Sequence, residues 1–257
     1  MSGYGSVAKY FDGEYDGFRQ DIDFYLDRLQ ADRVRGPVLE PGCGTGRVVA
    51  PLAVAGFRVS GFDTSEAMLR RARRRRAALA HDARLRLRFS RQDMVDFDYR
   101  HCFRAVILAF STLNLLADAA SRRSCLGRIA DHLEPGGLLL ADLFNPGAAA
   151  ASAPRRRSTE FRLPPHGHIV EKLVEEADDE NGGATTVRYT YQERRWIDDA
   201  PIDLLQVEFR LARVGRGELE SALYAAGFDV ESVVGDYSGR PFGERSPRMI
   251  VQARRLG

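Results

Sequence analysis

The sequence predicts an α/β protein with a doubly wound, mostly parallel sheet and an antiparallel β insertion. Three observations carry this. Between Gly36 and Phe144, short apolar runs alternate with stretches of helical periodicity, the pattern of a parallel sheet covered by helices on both faces. A glycine-rich turn, "VLEPGCGTGRVV", follows the first apolar run, where such sheets bind ligands beyond the carboxyl ends of their strands. From residue 158 to 213 long runs alternate with period two, and "DDENGG" joins two of them as a hairpin turn.

The elements follow in order. Residues 1–36, with "YGSVAKYFDGEYDGFRQDIDFY", precede the first strand and form an aromatic-rich N-terminal helical segment. "GPVLE" is a buried strand, and "RVVAPLAVAG" has apolar residues at helical spacing and stops at Gly56. "FRVSGFD" alternates as a strand; Ser65 then caps a helix running from Glu66 to about Ala80. "RLRLRFS" alternates again, "AVILAF" is a fully apolar strand, residues 118–132 form a helix ending at "EPGG", and "LLLADLF" is one more buried strand. "NPGAAAASAPRRR" reads as a linker into the insertion, residues 151–213. A helix over "GELESALYAAGF" and strands over "DVESVVGDY" and "RMIVQARR" return to the main sheet, so that domain comprises residues 37–150 and 214–257.

Composition narrows the function. At 257 residues and 44% apolar, the chain has ample core without disulfides. No apolar run approaches the roughly 18 residues of a membrane span, and the N-terminus lacks the basic flank and apolar core of a secretory signal. Cys43, Cys102 and Cys125 have no paired spacing, which suggests a reduced cytoplasm. A net charge of +2 gives no field for nucleic acid. The basic run Arg70–Arg76 points round most of a helix and reads as a solvated face. His166 and His168 share one face of a strand, too few ligands for a catalytic metal, so no metal is expected.

The glycines restrict the ligand. A phosphate loop needs lysine where Arg47 stands, and Gly42, Gly44 and Gly46 are one residue tighter than the dinucleotide fingerprint G-x-G-x-x-G. The compressed turn leaves less room for a pyrophosphate. Glu40 lies beside it, Asp63 ends the second strand where a carboxylate accepts both ribose hydroxyls, and Asp93 follows the third strand. Three carboxylates suit a ligand with a ribose, a purine amine and a positive charge, as S-adenosyl-L-methionine has, and repel a diphosphate.

"VLEPGCGTGRV", "GFDTSEAML", "RQDM", "AFSTLN" and "LEPGGLLLADLFNP" resemble, in order and spacing, the class I S-adenosylmethionine-dependent methyltransferases, whose sheet is Rossmann-like. The resemblance covers residues 37–146 and extends to the closing helix and strands. It implies that Gly42 and Gly44 lie against the methionine part with Glu40 near its amino group. It places Asp63 and Thr64 at the ribose, and Met68, Asp93 and Met94 at the adenine. Ala109 and Phe110 fall under the sulfonium, and Tyr15 is included with the cofactor set. The N-terminal segment resembles the lid of relatives that methylate small amines, including glycine and amino sugars. That likeness implies Tyr4, Phe11 and Phe110 along the methyl channel, and Tyr10, Asn114 and Phe144 at the acceptor. Some amino-sugar relatives carry a histidine where this chain has Leu115, which puts a base-driven O-methylation there in doubt. The expected function is methyl transfer to a small molecule, an amine of a secondary metabolite being favoured. O- or C-methylation of a hydroxylated scaffold, and a cofactor-binding protein without turnover, stay open. The insertion offers strands for pairing across a two-fold axis, so a homo-oligomer is an open alternative to a monomer.

Overall fold

The computed structural model describes residues 4–149, 155–164 and 167–257. Helices α1 (Tyr4–Tyr15) and α2 (Gln20–Ala31) precede the main sheet. The sheet is then built from β1 (Val38–Pro41), α3 (Val49–Val54), β2 (Val59–Asp63), α4 (Glu66–Ala77), α5 (His81–Arg86), β3 (Leu87–Arg91), β4 (Phe103–Leu108), α6 (Ala119–His132) and β5 (Leu133–Phe144). Strands β6 (Arg155–Leu163), β7 (His168–Asp178), β8 (Ala184–Arg194) and β9 (Pro201–Ala212) form a second sheet. Helix α7 (Arg216–Ala225), β10 (Phe228–Val234) and β11 (Arg248–Arg255) rejoin the first.

The seven-stranded sheet has the order β10-β11-β5-β4-β1-β2-β3, parallel from β5 to β3, with β10 and β11 antiparallel at one edge. Strand order reverses at β1, which lies between β2 and β4. Successive residues of a strand face opposite sides, so one core holds Leu39, Val106 and Leu108 against α6 and α7. The other holds Val38, Ala105 and Ile107 against α2 and α3. All four β1 residues are buried, which explains their unbroken apolar run apart from Glu40.

The antiparallel sheet is a meander in the order β6-β7-β8-β9. Helix α1 fills the space between this sheet and α4. Val7, Ala8 and Tyr10 pack with Met68 on one side and with Val170, Tyr191 and Phe209 on the other. Ser65 Oγ accepts the Met68 amide at 3.3 Å and so caps α4 as its sequence predicts.

Three features differ from the sequence reading. The alternating stretch "RLRLRFS" is divided: α5 runs to Arg86 and the strand begins at Leu87. Strand β2 starts at Val59, paired with Leu87, and offers no partner further upstream, so Leu85 is left exposed. Of the "NPGAAAASAPRRR" linker, residues 150–154 lie outside the described residues, while Arg155–Arg157 already form β6, paired with Val174–Glu176. The basic run of α4 is not wholly solvated. Arg71 and Arg75 bind Asp12 at 2.9 and 2.8 Å, and Arg75 also reaches Asp16 at 2.6 Å, which latches α1 onto α4.

Candidate active site

At the end of β1 the chain turns through Gly42, Gly44 and Gly46, with φ of 68°, 53° and 76°. A Cβ at Gly42 would lie 2.5 Å from Thr112 Cγ2, whereas one at Gly44 would meet nothing within 4 Å. Gly42 is therefore fixed by packing, and Gly44 presents bare backbone to open space. Asp63, the last residue of β2, braces this bend. Its Oδ2 accepts the Gly44 amide at 3.0 Å and its Oδ1 the Ser65 amide at 2.8 Å. Each carboxylate oxygen retains acceptor capacity for a hydroxyl. Burial raises the Asp63 pKa above the usual aspartate range despite these amides. Glu40 is only 3% exposed and its Oε2 has no hydrogen-bond partner; burial pushes its pKa well up, opposed by Arg47. A buried, unpartnered acceptor beside a bare glycine is what a site built for a donor group leaves behind.

Glu40, Gly42, Gly44 and Asp63 line a cavity of about 290 Å³. Thr64, Met68, Asp93, Met94 and Ala109 lie on the same wall, and Tyr4, Phe11 and Phe110 close it. Among the described residues the cation on this lining is Arg47, already paired with Asp21. Three carboxylates and a committed guanidinium favour a cationic ligand over a diphosphate. Leu115 also lines the cavity, an apolar contact.

A second cavity of about 380 Å³ shares Tyr4, Phe11 and Phe110 with the first. Tyr15 and Phe144 belong to it, and Tyr189 and Tyr191 extend its aromatic wall. Its polar side carries Glu176 between Arg155, at 2.9 Å, and Arg157, at 2.5 Å. Tyr15 was grouped with the cofactor residues by resemblance; it lines the second cavity and not the first, because its ring turns to pack edge-on against Phe110 at 5.0 Å. Tyr10 and Asn114 line neither cavity. Tyr10 is fully buried, stacked on Tyr191 at 4.7 Å with its hydroxyl donating to Asp203 at 2.9 Å. Asn114 is also fully buried and spends its amide on the Ala212 carbonyl at 2.9 Å. His166 lies outside the described residues, and His168 pairs with Glu193 at 2.8 Å. Cys43 is buried, and burial raises its thiol pKa well above the ordinary value, so it is no nucleophile at neutral pH.

Several groups at the site are not evident from the linear motifs. Arg47 is nearly fully buried. It donates to Asp21 and to the Phe18 carbonyl, and its guanidinium lies 5.1 Å from the Phe110 ring. Lys172, also buried, binds Glu14 at 2.6 Å and the Tyr15 hydroxyl at 3.2 Å and lies 3.7 Å from the centre of the Tyr189 ring. Phe110 and Ser111 are consecutive non-glycine residues with φ of 55° and 64°. Such left-handed residues cost about 1–3 kcal/mol each and persist only where the surroundings hold them.

Comparison with known proteins agrees with this geometry. The "Methyltransferase domain" family model matches residues 38–137. The dTDP-3-amino-3,6-dideoxy-alpha-D-glucopyranose N,N-dimethyltransferase of Streptomyces fradiae is 30% identical over 249 residues, 92% of this chain and 89% of that protein. The CcbJ methyltransferase from Streptomyces caelestis superposes with a TM-score of 0.80 at 24% identity, covering 99% of this chain and 98% of the other. The glycopeptide N-methyltransferase MtfA, solved with S-adenosyl-L-methionine, has a TM-score of 0.59 at 26% identity, covering 91% and 93%. A doubly wound sheet with an acid-lined cavity at its switch point defines a nucleoside-binding transferase. The chain belongs to the S-adenosylmethionine-dependent methyltransferases, and S-adenosylmethionine is its cofactor. No helix among the described residues is long and apolar enough to cross a membrane.

Proposed function

We propose that this enzyme methylates an amine nitrogen of a small secondary metabolite. The observation that carries the reading is the wall common to the two cavities: Tyr4, Phe11 and Phe110, three aromatic side chains. Burial raises the Tyr4 pKa, so its hydroxyl keeps its proton at neutral pH and is not a base. An alcohol or catechol acceptor calls for a base or a metal, whereas an amine needs only to arrive neutral and aligned. The S. fradiae relative, an N,N-dimethyltransferase of an amino sugar, supports the same choice.

When bound, S-adenosylmethionine supplies a methyl group activated by its sulfonium. Asp63 and Thr64 hold the ribose, Glu40 and the Gly42–Gly44 backbone the methionine end, and Met68, Asp93 and Met94 the adenine. The acceptor occupies the second cavity, with Phe144 and Tyr15 on its walls. There, exclusion of water lowers the pKa of an amine and raises its neutral fraction. Alignment of acceptor and methyl group can supply about 7–11 kcal/mol of the barrier reduction. Aromatic faces then stabilise the cationic product. Residues 1–36 act as a lid, residues 151–213 as the acceptor wall, and residues 37–150 with 214–257 as the cofactor domain. The exposed Trp196, Ile197, Ile202 and Leu204 near the β8–β9 turn support self-association through that wall, which sedimentation velocity tests.

Incubation with labelled cofactor and a panel of amines, alcohols and RNA tests the function. Label in amines supports the reading, and label confined to alcohols or RNA refutes it. Phe11→Ala should lower turnover on the order of tenfold, since misalignment by an ångström is costly, while cofactor affinity stays nearly constant. Equal losses in kinetics and in calorimetric binding would argue against a channel role.

A further inference from the structure

Asp142 is fully buried near the end of β5, in the middle of the apolar run "LLLADLF", and lines neither cavity. Its side chain gathers groups from four other parts of the chain. Oδ2 accepts the Phe110 amide at 3.1 Å, the Tyr25 hydroxyl of α2 at 3.2 Å and the Tyr237 hydroxyl, from the β10–β11 connection, at 2.5 Å. Oδ1 accepts from Arg248 Nε at 2.7 Å and lies 2.6 Å from its Nη2. Arg248 Nη2 also donates to Ser111 Oγ at 2.9 Å, and the Ser111 amide donates to the Asp142 carbonyl at 2.9 Å. Both left-handed residues, Phe110 and Ser111, are thus held by the same pair, Asp142 and Arg248.

The bend so held has a functional address. Phe110 lines both cavities, and its ring contacts Tyr15 edge-on and lies beneath the Arg47 guanidinium. If residues 110 and 111 relaxed to ordinary φ, the ring would leave the junction at which methyl donor and acceptor meet.

We propose that Asp142 is a positioning residue for methyl transfer: together with Arg248 it fixes the Phe110–Ser111 bend and through it the boundary between the cofactor and acceptor cavities. An apolar residue here would suit the surrounding core better, and the carboxylate is retained for the bend. The amides, the hydroxyls and the guanidinium all converge on one carboxylate, so the orientation of Phe110 is over-determined by polar contacts rather than by apolar packing alone. Burial opposes the charge of Arg248, but Asp142 outweighs it and holds the Arg248 pKa above the ordinary arginine value, so the pair is ionised throughout the working pH range.

The test compares Asp142→Asn with the milder Arg248→Lys and Tyr237→Phe, each checked for folding by its thermal transition. For Asp142→Asn, kcat should fall on the order of 30-fold. Affinity for S-adenosylhomocysteine, measured by calorimetry without turnover, should change less than threefold. Arg248→Lys keeps a charge for Asp142 but not the simultaneous reach to Ser111 Oγ, and its kcat should fall between the wild type and Asp142→Asn. Ser111→Gly, which makes the left-handed conformation easy, should restore part of the lost kcat in the Asp142→Asn background. The proposal is overturned if kcat is unchanged in Asp142→Asn, if cofactor affinity and kcat fall in parallel, or if Ser111→Gly restores only the melting temperature. If Asp142→Asn does not fold, Arg248→Lys and Tyr237→Phe decide by the same split between kcat and affinity. Label transfer to no amine would refute the amine acceptor without touching this split, which is measured with whatever acceptor is methylated.

Discussion

Asp63→Ala should weaken S-adenosylhomocysteine binding by about 100-fold, from the loss of two charge-assisted hydrogen bonds of about 1.5–3 kcal/mol each, partly offset by water. Two losses act together. The ribose hydroxyls lose their acceptor, and the amides of Gly44 and Ser65 lose the carboxylate that fixes the turn. Asp63→Asn separates them: its one carbonyl oxygen still accepts one amide or one hydroxyl, so its loss should be intermediate. Affinity should also depend on acid. Burial holds the Asp63 pKa above the usual range, and the protonated form is a poorer acceptor. Binding therefore weakens as pH falls, beginning at a less acidic pH than an exposed aspartate would require. Titration calorimetry across a pH series measures both effects, and an affinity for Asp63→Ala within twofold of the wild type would refute the ribose assignment.

The cofactor half of the site was legible because its signals are local. The glycine bend, Glu40 two residues before it and Asp63 at the next strand end all follow from the β1-turn-α3-β2 order, and strand ends in parallel sheets converge on one edge. The acceptor half was less so. Tyr10 and Tyr15 stand five residues apart in one aromatic-rich helix, yet Tyr15 lines a cavity and Tyr10 is turned into the antiparallel sheet. Helical spacing alone did not say which face met which sheet. Asn114 seemed free to meet a substrate because its partner, the Ala212 carbonyl, lies 98 positions away.

Other features had signals that the reading passed over. Arg71 and Arg75 are four apart on α4, and Asp12 and Asp16 are four apart near the end of α1, the spacing of two complementary helix faces. A single aspartate in the apolar run "LLLADLF" is likewise a flag, since a buried charge requires partners. The partners themselves, at positions 25, 110, 237 and 248, are joined only by the fold.

Asp21→Ala should destabilise the protein by about 3–5 kcal/mol, the usual consequence of removing one member of a buried ion pair. Asp21 is fully buried and Arg47 is 5% exposed. Burial opposes the Arg47 charge, and Asp21 outweighs it, holding its pKa above the ordinary arginine value. Without Asp21 the guanidinium keeps only the Phe18 carbonyl, at 2.9 Å, and the attraction of Glu40. For a chain of this size the loss corresponds to a melting temperature lower by about 2–4 °C per kcal/mol. The effect reaches the site, because Arg47 joins α2 to the turn beside Gly46 and lies against Phe110. Replacing both partners, as Asp21→Leu with Arg47→Met, should recover most of the stability, since no charge is then stranded in the core. Recovered stability does not imply recovered binding. The double variant leaves Glu40, whose pKa Arg47 lowers, without its nearby cation. Glu40 then takes up a proton more readily, and affinity for S-adenosylhomocysteine should fall even though the fold is restored. Denaturant melts and calorimetry on the same variants separate the two outcomes: a double variant as unstable as Asp21→Ala would show that packing, not the stranded charge, sets the cost.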